Sequence, residues 1–173
     1  MGTTTATPMP MITPMTIATD AFLTLQQMLS PAFPVGSFAY SQGLEAAVQA
    51  EWIRDAAQTE AWLRDILHHG AAWSDLVLCA HAAREQAVTQ LERLARALCL
   101  APERKRETVQ QGAAFVRAAN AAFGLSLQPA VYPVALGQAV HALSLPPAPS
   151  LAAVLQAQIT AQISAAQRLV PLG

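Results

Sequence analysis

Hydrophobic positions recur at spacings of three and four along nearly the whole chain, which is the period of an amphipathic helix. The pattern begins at Asp20, with Phe22, Leu23, Leu25, Met28 and Leu29 on one face and Asp20 placed to cap the first free N–H groups. Ser30 to Gly36 ends that helix with two prolines and a glycine, and a second helix is expected from about Ser37 to Ala50. A third and longer helix is expected from about Ala56 to Arg84, its core-facing stripe formed by Trp62, Leu63, Ile66, Leu67, Gly70, Trp73, Leu76, Val77 and Ala80. Leu91, Leu94, Ala95 and Leu98 continue the pattern before Pro102. Glu103 to about Phe123 resumes it through Val109, Ala113, Val116 and Ala119 or Asn120, with Gly124 as its C-cap. Pro129 to Leu145 reads as a further helix opened by Pro133. Pro146, Pro147 and Pro149 start a last one, whose apolar side is Leu151, Leu155, Ile159, Ile163, Ala166 and Val170, leaving Gln156, Gln158, Gln162 and Gln167 off that line. No alternating run is bounded by turn residues, and no hairpin dipeptide or fixed repeat occurs. The expected class is all-α, a compact single-domain bundle of about six to eight helices over residues 20–173, preceded by a flexible Thr/Pro-rich tail over residues 1–19.

A chain of 173 residues buries enough surface to hold such a bundle on hydrophobic packing alone. It is 53% hydrophobic and 12% charged, with mean hydropathy +0.31, which excludes a disordered chain and leaves little polar surface for an isolated monomer. The charges that exist are unevenly placed. Residues 118–167 contain no Asp, Glu, Lys or Arg across 50 positions, and residues 1–44 contain only Asp20. Depletion of charge marks the centre of subunit interfaces, so these neutral helix faces suit contact with other proteins; a neutral solvated face is the alternative. A net charge of −1 gives no field for phosphate backbones, and nucleic acid is not an expected partner. The apolar runs fall short of a membrane-spanning helix, the N-terminus lacks the basic residues of a targeting segment, and Cys79 and Cys99 have no pairing or metal-ligand spacing. A soluble, reduced, cytoplasmic protein is expected.

Catalytic motifs are missing: no GxxxxGK[ST] cradles phosphates, no GxGxxG follows a strand, and no GxSxG presents a nucleophile. Asp65, His68 and His69 fall within one helical turn, but only one of the two adjacent histidines shares a narrow face with Asp65, which leaves two ligands without a third. A small helical metal-binding protein built on these three is one reading of the chain. Arg84, Arg93, Arg96, Arg104, Lys105 and Arg106 gather 6 of the 10 basic residues, offset by Glu85, Glu92 and Glu103. Such mixed charge fits a solvated helix pair with local ion pairs, or a docking face for an acidic surface.

The most informative segment is SPAFPVGSFAYSQGLEAAV from Ser30 to Val48: a Pro-bounded turn delivers Gly36 and Ser37 to a helix start, and Gly43 inside the expected helix suggests close backbone approach by a neighbour, within the chain or from a partner. This segment resembles the N-terminal signature of the UreF family of urease accessory proteins. WIRDAAQTEAWLRDIL (Trp52 to Leu67), RETVQQG (Arg106 to Gly112), YPVALG (Tyr132 to Gly137) and ISAAQRLVPLG (Ile163 to Gly173) agree with the family in the same order. The resemblance implies an all-α protein without enzymatic activity or cofactor of its own that acts in assembling the nickel site of urease. It implies as partners UreD (UreH in some systems), the GTPase UreG and the urease apoprotein, together with a homodimer. Carried over by position, the residues expected nearest assembly contacts are Ser37, Phe38, Tyr40, Gln42, Gly43, Tyr132, Pro133 and Arg168. Two features depart from the family pattern: Val131 stands where relatives often carry His, and relatives usually continue past PLG with a Gln-containing polar tail, whereas this sequence ends at Gly173.

Overall fold

The computed structural model describes residues 19–36, 43–85 and 87–172. Among them every regular element is helical: α1 Thr19–Leu29, α2 Leu44–Gln49, α3 Ala56–His69, α4 Ala71–Glu85, α5 Val88–Leu98, α6 Pro102–Phe123, α7 Tyr132–Ala142 and α8 Pro147–Leu169. The all-α class and the helix number agree with the sequence pattern. Apart from Thr19, which opens α1, the expected tail lies outside the described residues, as do positions 37–42 of the expected second helix.

The organising element is α7. Its sequence, YPVALGQAVHA, is apolar apart from Tyr132, Gln138 and His141, as suits a helix surrounded by others, and Pro133 through Val140 are all buried. Pro133 sits in its first turn, where a missing N–H costs nothing. The helix packs most extensively on α4, with α6, α5 and α8 completing its surroundings. Small residues permit the α4 crossing: a Cβ on Gly137 would lie 2.4 Å from the Cys79 carbonyl oxygen and 2.5 Å from the Ala82 methyl. Gly112 serves α6 in the same way, since a Cβ there would meet the Ala130 carbonyl oxygen at 2.1 Å. Around this centre Phe33 contacts Phe115 (ring centroids 5.6 Å) and Phe123 (6.2 Å), and Phe115 meets Tyr132 edge-on at 5.7 Å.

The segment between α6 and α7 is fixed by side-chain amides. Asn120 on α6 accepts from the Leu127 N–H (2.9 Å) and donates to the Leu127 carbonyl (3.1 Å); Gln138 on α7 does the same for Gln128, at 2.8 and 3.0 Å. Glu92 on α5 accepts from the N–H of Val131, the N-cap residue of α7, and from Arg96, both at 2.6 Å. Gly124 ends α6 in the left-handed conformation expected of a C-cap (φ 65°).

Several expectations need correction. The long third helix is two helices: Gly70 turns extended (ψ −171°), so close over the last turn of α3 that a Cβ would lie 2.7 Å from the Ile66 carbonyl oxygen. The break resets the buried face, so α4 turns Ala72, Leu78, Cys79, Ala82 and Ala83 inward and leaves Trp73 60% exposed. The start of α3 is set by Asp55, which accepts from the Gln58 N–H at 2.8 Å. Gly43 is not inside a helix. It precedes α2 at φ 89°, a left-handed position that favours glycine, and a Cβ there would meet only the Trp62 ring at 3.8 Å. Asp20 lies within the first turn of α1, whose buried residues are Leu25 and Met28. On α5, Leu94 and Leu98 are exposed while Val88, Leu91 and Ala95 are buried. On α6 the inward face includes Glu107, Thr108 and Gln111 in place of the expected Val109–Ala113 line. On α8 the buried residues are Ser150, Val154, Gln162, Ala165 and Ala166, while Leu151, Leu155 and Ile159 are half-buried and Ile163 is exposed. The last two corrections meet at one place. Glu107 and Gln111 of α6 and Gln162 of α8 line one cavity that is partly open to solvent.

Candidate functional site

The cavity has a volume of about 710 Å³ and lies between α8 on one side and α1, α4, α6 and α7 on the other. Leu29, Val35, Leu136 and Val154 give it apolar walls, and its polar groups come from two directions. From α4 and α6, Arg104 bonds the Asp75 carboxylate through Nη2 and approaches Glu107 at 3.4 Å, and Gln111 donates to Glu107 at 3.1 Å. From α8, Gln158 and Gln162, one turn apart, bring their side-chain amides to the wall. The Oε1 atoms of both are buried and receive no hydrogen bond among the described residues.

Burial dominates the electrostatics here. It pushes the Asp75 carboxyl up to about 6; the charge and hydrogen bond of Arg104 oppose this, and Glu107 adds to it. The Cys79 thiol, one turn further along α4, is raised to about 12 by burial and then by Asp75, so it stays protonated and unreactive at neutral pH. Burial likewise holds the Tyr132 phenol protonated, with Cys79 and Asp75 as lesser causes.

The structure separates the residues that the sequence grouped as partner contacts. Ser37, Phe38, Tyr40 and Gln42 lie outside the described residues. Gly43 is exposed at the start of α2. Tyr132 and Pro133 open α7, Pro133 buried and Tyr132 half-buried against Phe115. Arg168 is exposed near the end of α8. Tyr132 and Arg168 are nonetheless brought together, as both line the cavity, 36 positions apart in the chain. Sequence reading gave no site role to Asp75, Glu107, Gln111, Gln158 or Gln162, and placed Arg104 in a basic surface cluster. The 104, 107, 111 spacing places three polar residues on one helical face, a signal that was present and overshadowed by the apolar stripe.

The basic cluster is not one surface group. Arg104 is turned inward to Asp75, and Arg96 pairs with Glu92. Asp65, His68 and His69 are all exposed on α3, with the two imidazole rings 6.1 Å apart, and no three His, Cys, Asp or Glu residues among those described are grouped to hold a metal ion. Exposed apolar residues include Trp52 (70%) and Leu100 (98%). No helix among the described residues is long and apolar enough to cross a membrane.

The buried centre of the fold lies where the chain matches known proteins. The UreF family model matches residues 53–173, which takes in α3 to α8. A urease accessory protein UreF of Cereibacter sphaeroides (strain ATCC 17029) is 51% identical over 153 residues, covering 88% of this chain and 73% of the relative. Proteins of the same name are 45% identical over 159 residues in Roseobacter denitrificans (91% and 72% covered) and 47% over 154 residues in Paracoccus denitrificans (88% and 71%). Gly112, Tyr132 and Gly137, whose close approaches set the packing of α7, fall within the matched region, and so do the cavity residues from Asp75 to Arg168; by this similarity the chain belongs to the UreF family of urease accessory proteins.

Proposed function

We propose that this chain is a non-enzymatic, cytoplasmic scaffold in urease maturation: a homodimer that binds UreD (UreH) and the GTPase UreG and brings them to the urease apoprotein for nickel insertion. Modulation of GTP hydrolysis by UreG would belong to the same role. Membership of the UreF family carries this reading. The distribution of charge supports it. The uncharged run of residues 118–167 includes most of α8, which remains half-exposed and presents Ile163 and Leu169 to solvent around Arg168. Neutral helical surface of this kind suits a partner's apolar face, while hydrolytic chemistry resides in another chain. Gly43 and Arg168 are the described candidates that a partner can reach directly, whereas Tyr132 and Pro133 act by holding the start of α7.

The test is expression of a urease operon with and without this gene, reading nickel content and urease activity of the purified enzyme. Loss of both without the gene is expected, and equal values in the two cases would end the proposal. Mass measurement of the chain mixed with UreD and UreG tests the assembly separately; a monomer that joins neither protein would remove the scaffold role.

A further inference from the structure

We infer that the cavity between α8 and the α4–α6–α7 core is a binding site for a small neutral molecule carrying a primary carboxamide. The argument starts from hydrogen-bond supply. Gln162 is 7% exposed and Gln158 is also shielded, yet both side-chain carbonyl oxygens lack a donor among the described residues. Buried acceptors in a folded protein are nearly always matched, by protein, water or ligand. Two shielded amides elsewhere in this chain are matched by peptide groups, while buried Gln111 is matched by the Glu107 carboxylate: Asn120 and Gln138 each close a two-bond pair with a backbone peptide group, donating and accepting at once. A primary carboxamide offers the same two groups side by side, so it is the natural complement to Gln158 and Gln162.

Charge points the same way. Asp75 and Glu107 share Arg104, and Arg168 stands at the same cavity, so the cations and anions lining it balance. A charged ligand would gain little net attraction. Volume and lining suit a small molecule: about 710 Å³, with Leu29, Val35, Leu136 and Val154 beside a few convergent polar groups, is the composition of a small-molecule pocket. The ligand is a free molecule in this proposal and not a partner's Asn or Gln side chain, since the two unpaired carbonyl oxygens are buried on the face of α8 that lines the cavity. The inference is independent of the scaffold role, and either can fail without the other.

Titration of the full chain with benzamide, followed by ligand-observed NMR and calorimetry, tests it. Saturable binding is expected, at least tenfold tighter than for N,N-dimethylbenzamide or methyl benzoate, which keep the ring and carbonyl and lack N–H donors. The double variant Gln158→Leu/Gln162→Leu should lose that preference while unfolding at a temperature close to the parent's. Equal binding of the three probes, or no saturable binding of benzamide to the unmodified chain, overturns the site without reference to any variant. Tighter binding of N-acetylglutamine methylamide than of benzamide assigns the cavity to a protein side chain and overturns the free ligand. A crystal soaked in benzamide in which only waters bridge Gln158 and Gln162 does so too.

Discussion

The segment joining α6 to α7 and the wall that α8 turns toward the cavity use the same kind of side chain to opposite effect. In the first, the amides of Asn120 and Gln138 are each closed by two hydrogen bonds onto the backbone of Leu127 and Gln128. In the second, the amides of Gln158 and Gln162 are buried with their carbonyl oxygens unpaired. A buried amide is stabilising only when matched, and leaving one unmatched costs about 1–3 kcal/mol. The first region is therefore framework, ordering a loop so that α7 starts at a defined place, and the second leaves hydrogen-bonding capacity unused. The Asp75–Arg104–Glu107 group, on the other side of the cavity, belongs to neither extreme: it is paired, yet burial keeps Asp75 close to the point of protonation.

The contrast can be broken most severely at Gly112. Gly112→Ala would drive a methyl group into the Ala130 carbonyl, and because backbone cannot yield as a flexible side chain can, a loss of about 3 kcal/mol or more is expected in urea denaturation. The next effect is a pH dependence. As pH rises from about 4 to about 6, folded Asp75 keeps a proton that the unfolded chain has released, so stability falls across that window and levels off above it. The fall is on the order of 2–3 kcal/mol, and Asp75→Asn should flatten it relative to the parent, measured as unfolding free energies at pH 4, 5, 6 and 7.5. A rise in stability over the same window would place Asp75 under the control of Arg104 instead of burial.

Asn120→Leu should cost about 2 kcal/mol, since both backbone groups of Leu127 lose their partner, and hydrogen exchange over residues 125–130 should speed up more than in α7. Gln162→Leu completes the comparison with the smallest effect and a different sign. It removes an unmatched acceptor, so stability should be unchanged or higher by up to about 1 kcal/mol, read as the thermal midpoint. A loss comparable to that of Asn120→Leu would mean that Gln162 is framework too, and the distinction between the two regions would be gone.

Helix existence was legible in the chain because local periodicity, prolines and the Gly124 cap act over a few residues: α1, α6, α7 and α8 begin and end within a few positions of where the pattern predicts. The faces were less legible. On α8 the line from Leu151 to Ile163 is the more apolar, yet Ser150, Val154 and Gln162 are buried, because the surface opposite is itself partly polar. Gly70 reads as one more member of a stripe and instead divides a helix, since the identity of a glycine does not say whether its missing Cβ or its conformational freedom is in use. Gly43 shows the reverse, its role being a left-handed turn and not the close approach its position suggests.

The sequence by itself determined the helical class, the family and the scarcity of charge that makes other proteins the expected company of this chain. Each of these depends on residue types and spacing, which require no knowledge of what lies across a contact. The tertiary structure alone decided that Asp75 meets Arg104 from 29 positions away, that Tyr132 and Arg168 share a cavity, and that two glutamines of α8 face inward unpaired. The free energy of a buried polar group is set by the partner it finds, and that partner is supplied by packing between helices.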